Sequence, residues 1–232
     1  MRDYIYFGKS TEDFEVYITD AGVYAAPERS YEKVNVPGRN GDLLIEDNKY
    51  PNIEMTYPAV IVDDFDDNYR ALTAYLLSQK GYQRLSDSFH PEEFYHATFK
   101  KMDSLKHTTG HKAGTFKIVF DRKPQRFLIS GEESVVISGT GYLKNPTGYA
   151  ALPLIEATGN GTAVIGSTAI SVSNNTGNII IDCDMQEAYY GSTNKNDKLT
   201  LTNGVFPVLN GSTEITVTGF TAFQITPRWW TL

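Results

Sequence analysis

The chain has 232 residues, enough for two hydrophobic cores, since one core usually serves about 100 to 200 residues. Hydrophobic residues make up 41% of the chain and charged residues 21%, which excludes a wholly disordered or collagen-like protein. The net charge of −7 lacks the basic excess that nucleic-acid binding requires, and no stretch is apolar for the roughly 18 residues of a membrane span. We therefore expect neither nucleic acid nor a membrane as a partner.

Cysteine content bears on the compartment. The single cysteine, Cys183, excludes an intramolecular disulfide and a zinc site built from several thiolates. The charged first residues contain no apolar run of the kind found in secretory signals. Both features predict synthesis in the cytoplasm.

Charge density divides the chain near residue 130. The first 129 residues hold 37 of the 49 charged side chains, and the remaining 103 hold 12. Pro124 stands just before this change and ends any strand that it follows. We place the junction within residues 125–145 and predict a first domain of residues 1–130 and a second of residues 131–232.

The sequence of the first domain predicts a sheet with one helix. Aromatic and β-branched runs with partial alternation predict strands at residues 4–7, 14–18, 54–57 and 116–120. Phe65, Tyr69, Leu72 and Leu76 recur at helical spacing, and the aspartates before them are suited to cap a helix. The pattern predicts one amphipathic helix over residues 64–80.

The sequence of the second domain predicts strands and no helix. Short apolar runs occur at residues 134–137, 154–157, 163–165, 179–181, 199–201 and 214–217, and Asn-Gly pairs at 160, 203 and 210 favour tight hairpin turns. Regular short strands without a helical stretch predict a β-sandwich. The chain is thus expected to be mainly β, with an N-terminal β-sandwich or sheet domain carrying one α-helix and a C-terminal β-sandwich.

The common catalytic motifs are missing, so we expect no enzyme and no cofactor. His107 and His111 would be metal ligands if they shared a helix, but the residues between them are poor helix formers, which favours a polar loop and no metal site. Asp182 and Asp184 have the spacing of a calcium-binding or acid/base pair. Solvent-facing carboxylates without a catalytic role are the alternative that we favour.

The C-terminus offers a candidate contact in Arg228, Trp229 and Trp230, because indole provides a large apolar area with one hydrogen-bond donor. These residues would stack on a sugar or on a partner protein. Neighbouring strand residues face opposite ways, so the alternative is a last strand that buries one tryptophan and exposes the other.

A set of short motifs carries a family resemblance. A V-P-G-R-x-G-D-L stretch at residues 36–43 leads into strands, a helix with Tyr69, Arg70 and Leu72 follows, and G-Y-x-x-L-x-D occupies residues 81–87. The second half continues with N-P at 145–146, P-L-I-E-A-T-G at 153–159, I-D-C at 181–183, G-V-F-P-V-L-N-G at 204–211 and P-R-W-W at 227–230. In order and spacing, the chain resembles the distal tail proteins of siphophages.

The resemblance implies a structural hub at the tip of a phage or prophage tail. Family members assemble as hexamers, so a homo-hexameric ring is expected, with a ring-forming N-terminal domain and a galectin-like C-terminal β-sandwich. The implied partners are the major tail tube protein, the tail-associated baseplate hub protein and, in some particles, a receptor-binding protein. The implied location is the virion tail, after synthesis in the bacterial cytoplasm. The particle could instead be a contractile tail or a tailocin. The alternative function is glycan binding by the C-terminal β-sandwich.

The candidate subunit interface is the segment of residues 36–44 within this motif. Its residues are Val36, Pro37, Gly38, Arg39, Gly41, Asp42 and Leu43. Proline and glycine restrict and then free the backbone, and the opposite charges of Arg39 and Asp42 would make reciprocal contacts in a ring. An internal turn, with Arg39 paired to Asp42 of its own chain, is the alternative.

Overall fold

The computed structural model describes residues 3–22, 25–107 and 112–232. The chain divides into two compact units, Met1–Arg126 with Leu232 and Phe127–Thr231. It is mainly β, as predicted, and the described residues contain a single α-helix.

The described residues of the first unit form nine strands and the helix. Their bounds are β1 Ile5–Phe7, β2 Lys9–Ser10, β3 Val16–Ile18, β4 Tyr31–Val34, β5 Leu43–Glu46, β6 Ile53–Ile61, α1 Phe65–Ser78, β7 Gln83–Asp87, β8 Glu93–His107 and β9 Gly114–Arg122. Seven of the strands form an antiparallel sheet in the order β2-β1-β7-β8-β9-β6-β3, whereas β4 and β5 form a separate two-stranded sheet.

The core of the first unit forms where α1 packs on this sheet. Every second residue of β6 from Met55 to Ile61 is buried, which is the period of a strand with one covered face. The helix buries Phe65, Leu72 and Leu76 in the same cluster. The Phe65 ring stacks on that of Tyr69 with centroids 5.4 Å apart, one helical turn along.

The helix lies where it was predicted, but the side chain of Asp64 does not cap its N-terminus. Asp64 has the left-handed φ of 47° and makes no side-chain capping hydrogen bond. Instead, the N–H of Phe65 donates to the carbonyl of Lys112 at 3.3 Å. A neighbouring segment of the chain therefore satisfies a donor that the sequence pattern assigned to a carboxylate.

The second unit is a two-layered β-sandwich. After β10 (Arg126–Leu128), its strands are β11 Val135–Val136, β12 Thr140–Lys144, β13 Leu154–Thr158, β14 Gly161–Ile165, β15 Thr168–Val172, β16 Asn178–Asp182, β17 Glu187–Tyr190, β18 Thr193–Asn194, β19 Leu199–Leu201, β20 Ser212–Thr218, β21 Ala222–Thr226 and β22 Trp230–Thr231. One sheet has the order β11-β21-β13-β16-β17-β18 and the other the order β12-β20-β14-β15-β19.

Apolar residues of both sheets meet between the layers of the second unit. Ile155, Ile181 and Ile225 come from the six-stranded sheet, and Ile170 and Ile215 from the five-stranded one. All five are fully buried, while their strand neighbours, apart from the buried Asp182, alternate outward. This alternation leaves one solvent-facing surface on each sheet.

Candidate functional site

The predicted interface segment lies at the tip of a hairpin that forms its own two-stranded sheet. Strands β4 and β5 pair from Tyr31↔Glu46 to Val34↔Leu43, and residues 35–42 connect them. The N–H of Arg39 donates to the carbonyl of Val36 at 3.2 Å, which closes a turn around Pro37 and Gly38. The segment is therefore a hairpin connection followed by the first residue of β5.

Positive φ angles explain the glycines of this tip. Gly38 has φ +79° and Gly41 has φ +80°, conformations that L side chains rarely adopt. A Cβ at either position would meet no atom within 4 Å, so the chain itself makes no close approach there. Arg39 and Asp42 are both exposed, and the structure records no ion pair between these two described residues.

Strand β5 exposes apolar side chains on both of its faces. Leu43 is 40% exposed, Leu44 53% and Ile45 49%, and Tyr31 on β4 is 45% exposed. A two-stranded ribbon has no layer to cover either face, and such a hairpin is marginal in water by itself. We name Tyr31, Leu43, Leu44 and Ile45 the hairpin patch. The predicted segment of residues 36–44 included Leu43 and Leu44, but not Tyr31 and Ile45.

The C-terminal candidate residues, Arg228, Trp229 and Trp230, all make contacts within the second unit. Trp229 is only 5% exposed and belongs to the core of the second unit. Trp230 is half-buried, packs on Tyr149 with ring centroids 4.8 Å apart, and donates from Nε1 to the carbonyl of Ala150 at 3.0 Å. Trp229 is thus the buried tryptophan of the alternative interpretation, and Trp230 is half-buried with its indole in contact with its own unit.

Arg228 has an internal partner as well. Its Nη1 and Nη2 donate to the two carboxylate oxygens of Asp182 at 2.8 and 2.9 Å. The backbone N–H groups of Asp184 and Met185 also donate to Asp182, at 3.0 and 3.1 Å. Burial raises the pKa of Asp182, but the hydrogen bonds from Arg228 and Met185 outweigh it and hold the pKa below its ordinary value.

This geometry corrects the expectation of two solvent-facing carboxylates. Asp182 is buried and ends β16, whereas Asp184 is exposed in the following turn. Asp182 is occupied by a guanidinium and two backbone donors, so it is a structural residue. The pair does not have the arrangement of a general acid and base across a substrate.

A second buried polar cluster lies in the first unit and was not anticipated. Asp87 accepts hydrogen bonds from the Tyr57 hydroxyl at 2.7 Å, from the backbone N–H of His90 at 2.8 Å and from that of Phe89 at 3.0 Å. Burial, followed by the Asp87 carboxylate, raises the pKa of Tyr57, which keeps its hydroxyl a donor. The cluster joins β6 to the end of β7.

The buried side chain of Arg122 connects two segments of the first unit by hydrogen bonds. Its guanidinium donates to the carbonyls of Lys123, Pro124 and Ala25 at 3.3, 3.4 and 3.2 Å, and lies 4.6 Å from the ring centroid of Tyr95. Ala25 belongs to the segment that leads to the hairpin. Arg122 therefore ties that segment to β9.

The metal site that we considered at His107 and His111 cannot be placed, because His111 lies outside the described residues. Among the residues that are described, no group of three or more His, Cys, Asp or Glu side chains has the arrangement of a metal site. Within the same residues, no helix is long and apolar enough to cross a membrane.

The whole chain is similar to a solved phage protein. The Dit protein of phage SPP1, described as a paradigm of the hub adsorption apparatus in phages that infect Gram-positive bacteria, superposes with a TM-score of 0.72 at 15% identity, over 100% of both chains. The chain has the fold of a distal tail protein.

Two further structures share this distal tail protein fold. Chains of the phage P2 baseplate in its activated conformation match with TM-scores of 0.54 (calcium form) and 0.53 (strontium form), at 10% and 9% identity, over 97% of each chain. The sequence itself matches no protein-family model and no curated protein. Structural similarity over both units therefore carries the assignment of the fold.

Proposed function

We propose that this chain is a structural distal tail protein of a siphophage or prophage, forming a hexameric ring that joins the tail tube to the baseplate or tail tip. The observation that carries the proposal is the likeness to the SPP1 hub protein over the full length of both chains. The ring contacts the major tail tube protein and the tail-associated baseplate hub protein, and in some particles a receptor-binding protein. This function lies in protein contacts, in the virion tail, and needs neither catalysis nor a cofactor.

The hairpin patch supports an interface in the first unit. Hydrophobic side chains that stand on both faces of a thin ribbon are costly in water and mark a surface that another chain covers. Burying the exposed half of Leu43, Leu44 and Ile45 would contribute about 1 kcal/mol for each side chain. The patch is thus large enough in energy to matter for assembly.

A second copy of this chain is the occupant that we propose. A cyclic ring needs a heterologous interface, in which one surface of a subunit fits a different surface of the next. A hairpin that forms its own two-stranded sheet meets this requirement, because its exposed side chains would pack on a different surface of the next subunit. Arg39 and Asp42, both exposed and unpaired with each other, lie in the connection next to the patch and carry opposite charges for partners across the interface.

Mass measurement of the purified chain tests the proposal. Size exclusion with light scattering should give a species of about 155 kDa, six times the chain mass of 25.9 kDa, at high protein concentration. Leu44→Lys places a charge in the middle of the hairpin patch and should shift the mass to that of the monomer. Circular dichroism of the variant should match that of the wild type.

Leu77→Lys is the matched control, since Leu77 is 67% exposed on α1 and lies outside the hairpin. It should leave the hexamer intact. A wild-type mass near 25.9 kDa at every concentration would contradict ring formation by the isolated chain. A hexamer that survives Leu44→Lys would contradict the hairpin as the interface.

Glycan binding through Trp229 and Trp230, the alternative function that the sequence left open, has no support at those residues. Both indoles are engaged within the second unit. A sugar site in this unit requires other side chains.

A further inference from the structure

Four asparagines of the chain are followed by glycine, at positions 40, 160, 203 and 210. In such a pair the backbone nitrogen of glycine can attack the asparagine Cγ, because glycine has no side chain to block the approach. The N–Cγ bond forms and the Cγ–Nδ2 bond breaks, while the glycine N–H proton passes to the departing amide, which leaves as ammonia. Water then opens the resulting succinimide ring to aspartate or isoaspartate. No enzyme is needed, so local geometry decides which pair reacts.

The Asn40–Gly41 pair has the geometry that this reaction requires. It lies in the connection between β4 and β5, where Asn40 is exposed. Gly41 has φ +80°, and no atom lies within 4 Å of the position that a Cβ would take. Within the described part of the chain, neither the Asn40 side chain nor the Gly41 N–H makes a hydrogen bond. The nucleophile, the amide and the space for the ring are all available.

The Asn160–Gly161 pair is held at both residues. Asn160 Oδ1 accepts a hydrogen bond from the N–H of Asn175 at 2.8 Å. Gly161 belongs to β14, where it pairs with Val172, and a Cβ there would lie 2.5 Å from the carbonyl oxygen of Thr218. The side chain would have to leave its donor and the strand would have to open before the ring closes.

The Asn210–Gly211 pair is held by its backbone. The N–H of Asn210 donates to Thr213 Oγ1 at 3.2 Å, and the Thr213 hydroxyl lies 3.2 Å from the Asn210 carbonyl. The Gly211 carbonyl accepts from the N–H of Asn145 at 2.7 Å. Ring closure rotates the peptide between the two residues of the pair and would break these hydrogen bonds.

The Asn203–Gly204 pair is held in an unsuitable conformation. Asn203 has φ 57° and ψ 18° in a turn that the Val205 N–H closes by donating to the Thr202 carbonyl at 3.2 Å. A succinimide needs the asparagine Cβ and the next nitrogen on the same side of the Cα–C bond, whereas this ψ places that nitrogen beside the residue's own nitrogen. A Cβ at Gly204 would meet no atom within 4 Å, so conformation and not crowding is the obstacle.

From this contrast we propose that Asn40 is a site of spontaneous deamidation, and that the modified chain assembles less well through the hairpin patch. The effect on assembly rests on the proposed function, whereas the choice of Asn40 does not. Deamidation adds a negative charge two residues from Asp42, and like charges within one interface weaken binding. Isoaspartate also lengthens the backbone of the connection by a carbon atom, which disturbs the turn that sets the pairing of β4 with β5.

Peptide mapping by mass spectrometry tests the site. The full chain is incubated at low concentration under mildly alkaline conditions, which favour loss of the glycine N–H proton. The peptide with Asn40 should be modified at least about ten times faster than the peptides with the other three pairs. Asn40→Gln should abolish the reaction there, because a longer side chain has to close a larger ring. Asn203→Gln is the matched control and should leave the rate at Asn40 unchanged. A faster reaction at any other pair, or none at Asn40, overturns the proposal.

Light scattering of the incubated chain tests the effect on assembly. The wild type should lose hexamer in proportion to its modified fraction, whereas Asn40→Gln, incubated in the same way, should keep it. Fresh Asn40→Asp carries the charge without the longer backbone and should need a concentration about threefold higher to form the hexamer. Equal assembly by modified wild type and Asn40→Gln overturns the effect on assembly. Fresh wild type that forms no hexamer contradicts the proposed function instead, and peptide mapping still decides whether Asn40 reacts.

Discussion

Arg228 and Asp182 form a bidentate ion pair inside the second unit, with Nη1 to Oδ1 at 2.8 Å and Nη2 to Oδ2 at 2.9 Å. The side chain of Asp182 is 5% exposed and that of Arg228 is 31% exposed. Arg228 also adopts the unusual φ of +59°. The pair holds the end of β16 to the chain just before β22.

Removal of this guanidinium should be costly. We expect Arg228→Ala to lower the free energy of unfolding by about 2 to 3 kcal/mol, because it leaves a buried carboxylate without its ionic partner. Urea denaturation measures the change. Arg70→Ala is the control, since Arg70 and Asp67 are 76% and 91% exposed and 3.8 Å apart, and a surface pair contributes less than about 1 kcal/mol. Equal losses in the two variants would contradict the structural role of Arg228.

Acid should weaken the second unit through Asp182. The pKa of this carboxyl is lower in the folded protein than its unfolded value of about 3.9. Its contribution to stability is therefore present above about pH 4 and is lost as the pH falls through the folded pKa. Asp182→Asn should be less stable than the wild type at neutral pH, and the difference should narrow below about pH 4. Urea denaturation at a series of pH values checks this, and a difference that grows on acidification would refute it.

The hydrogen bond from Tyr57 to Asp87 should stabilise the first unit. Tyr57→Phe removes a donor from a buried carboxylate, so we expect a loss of about 1 to 3 kcal/mol in the free energy of unfolding. Tyr17→Phe is the control, because its hydroxyl donates to Glu15 at an exposed position. Thermal denaturation of both variants provides the comparison. A loss from Tyr17→Phe as large as that from Tyr57→Phe would show that burial of the bond is irrelevant.

A close backbone contact should make Gly131 intolerant of any side chain. A Cβ there would lie 2.3 Å from the Trp229 nitrogen, and the Gly131 carbonyl accepts from the Arg228 N–H at 2.7 Å. We expect Gly131→Ala to cost about 2 to 3 kcal/mol, since backbone atoms cannot move aside as a flexible side chain does. Gly148→Ala would meet no atom within 4 Å and should be neutral or slightly stabilising. Calorimetric melting of the two variants would reveal the difference, and similar melting temperatures would argue against the contact.

The local hydrophobic pattern was sufficient to predict an element when that element by itself determines which of its residues are buried. The spacing of Phe65, Leu72 and Leu76 predicted α1 because a helix places such residues on one face whatever it packs against. The short apolar runs of the second domain, separated by Asn-Gly turns, predicted β13, β14, β16 and β20. Strand β8 was not predicted, because bulges between Phe99 and Lys101 and between Asp103 and Lys106 break its alternation.

The sequence by itself determined the mainly β class, the single helix and a resemblance spread along the chain, since these follow from periodicity and from the order of motifs. Only the tertiary structure decided which candidate residues are buried, which are exposed and what they contact. Trp229 lies in the core, and buried Asp182 pairs with an arginine that is distant in sequence. Leu44 and Ile45 are exposed because no layer covers them. The hydrogen bond between Gln224 and Glu156 depends on strand register, because these residues are 68 positions apart and become neighbours only when β13 and β21 pair.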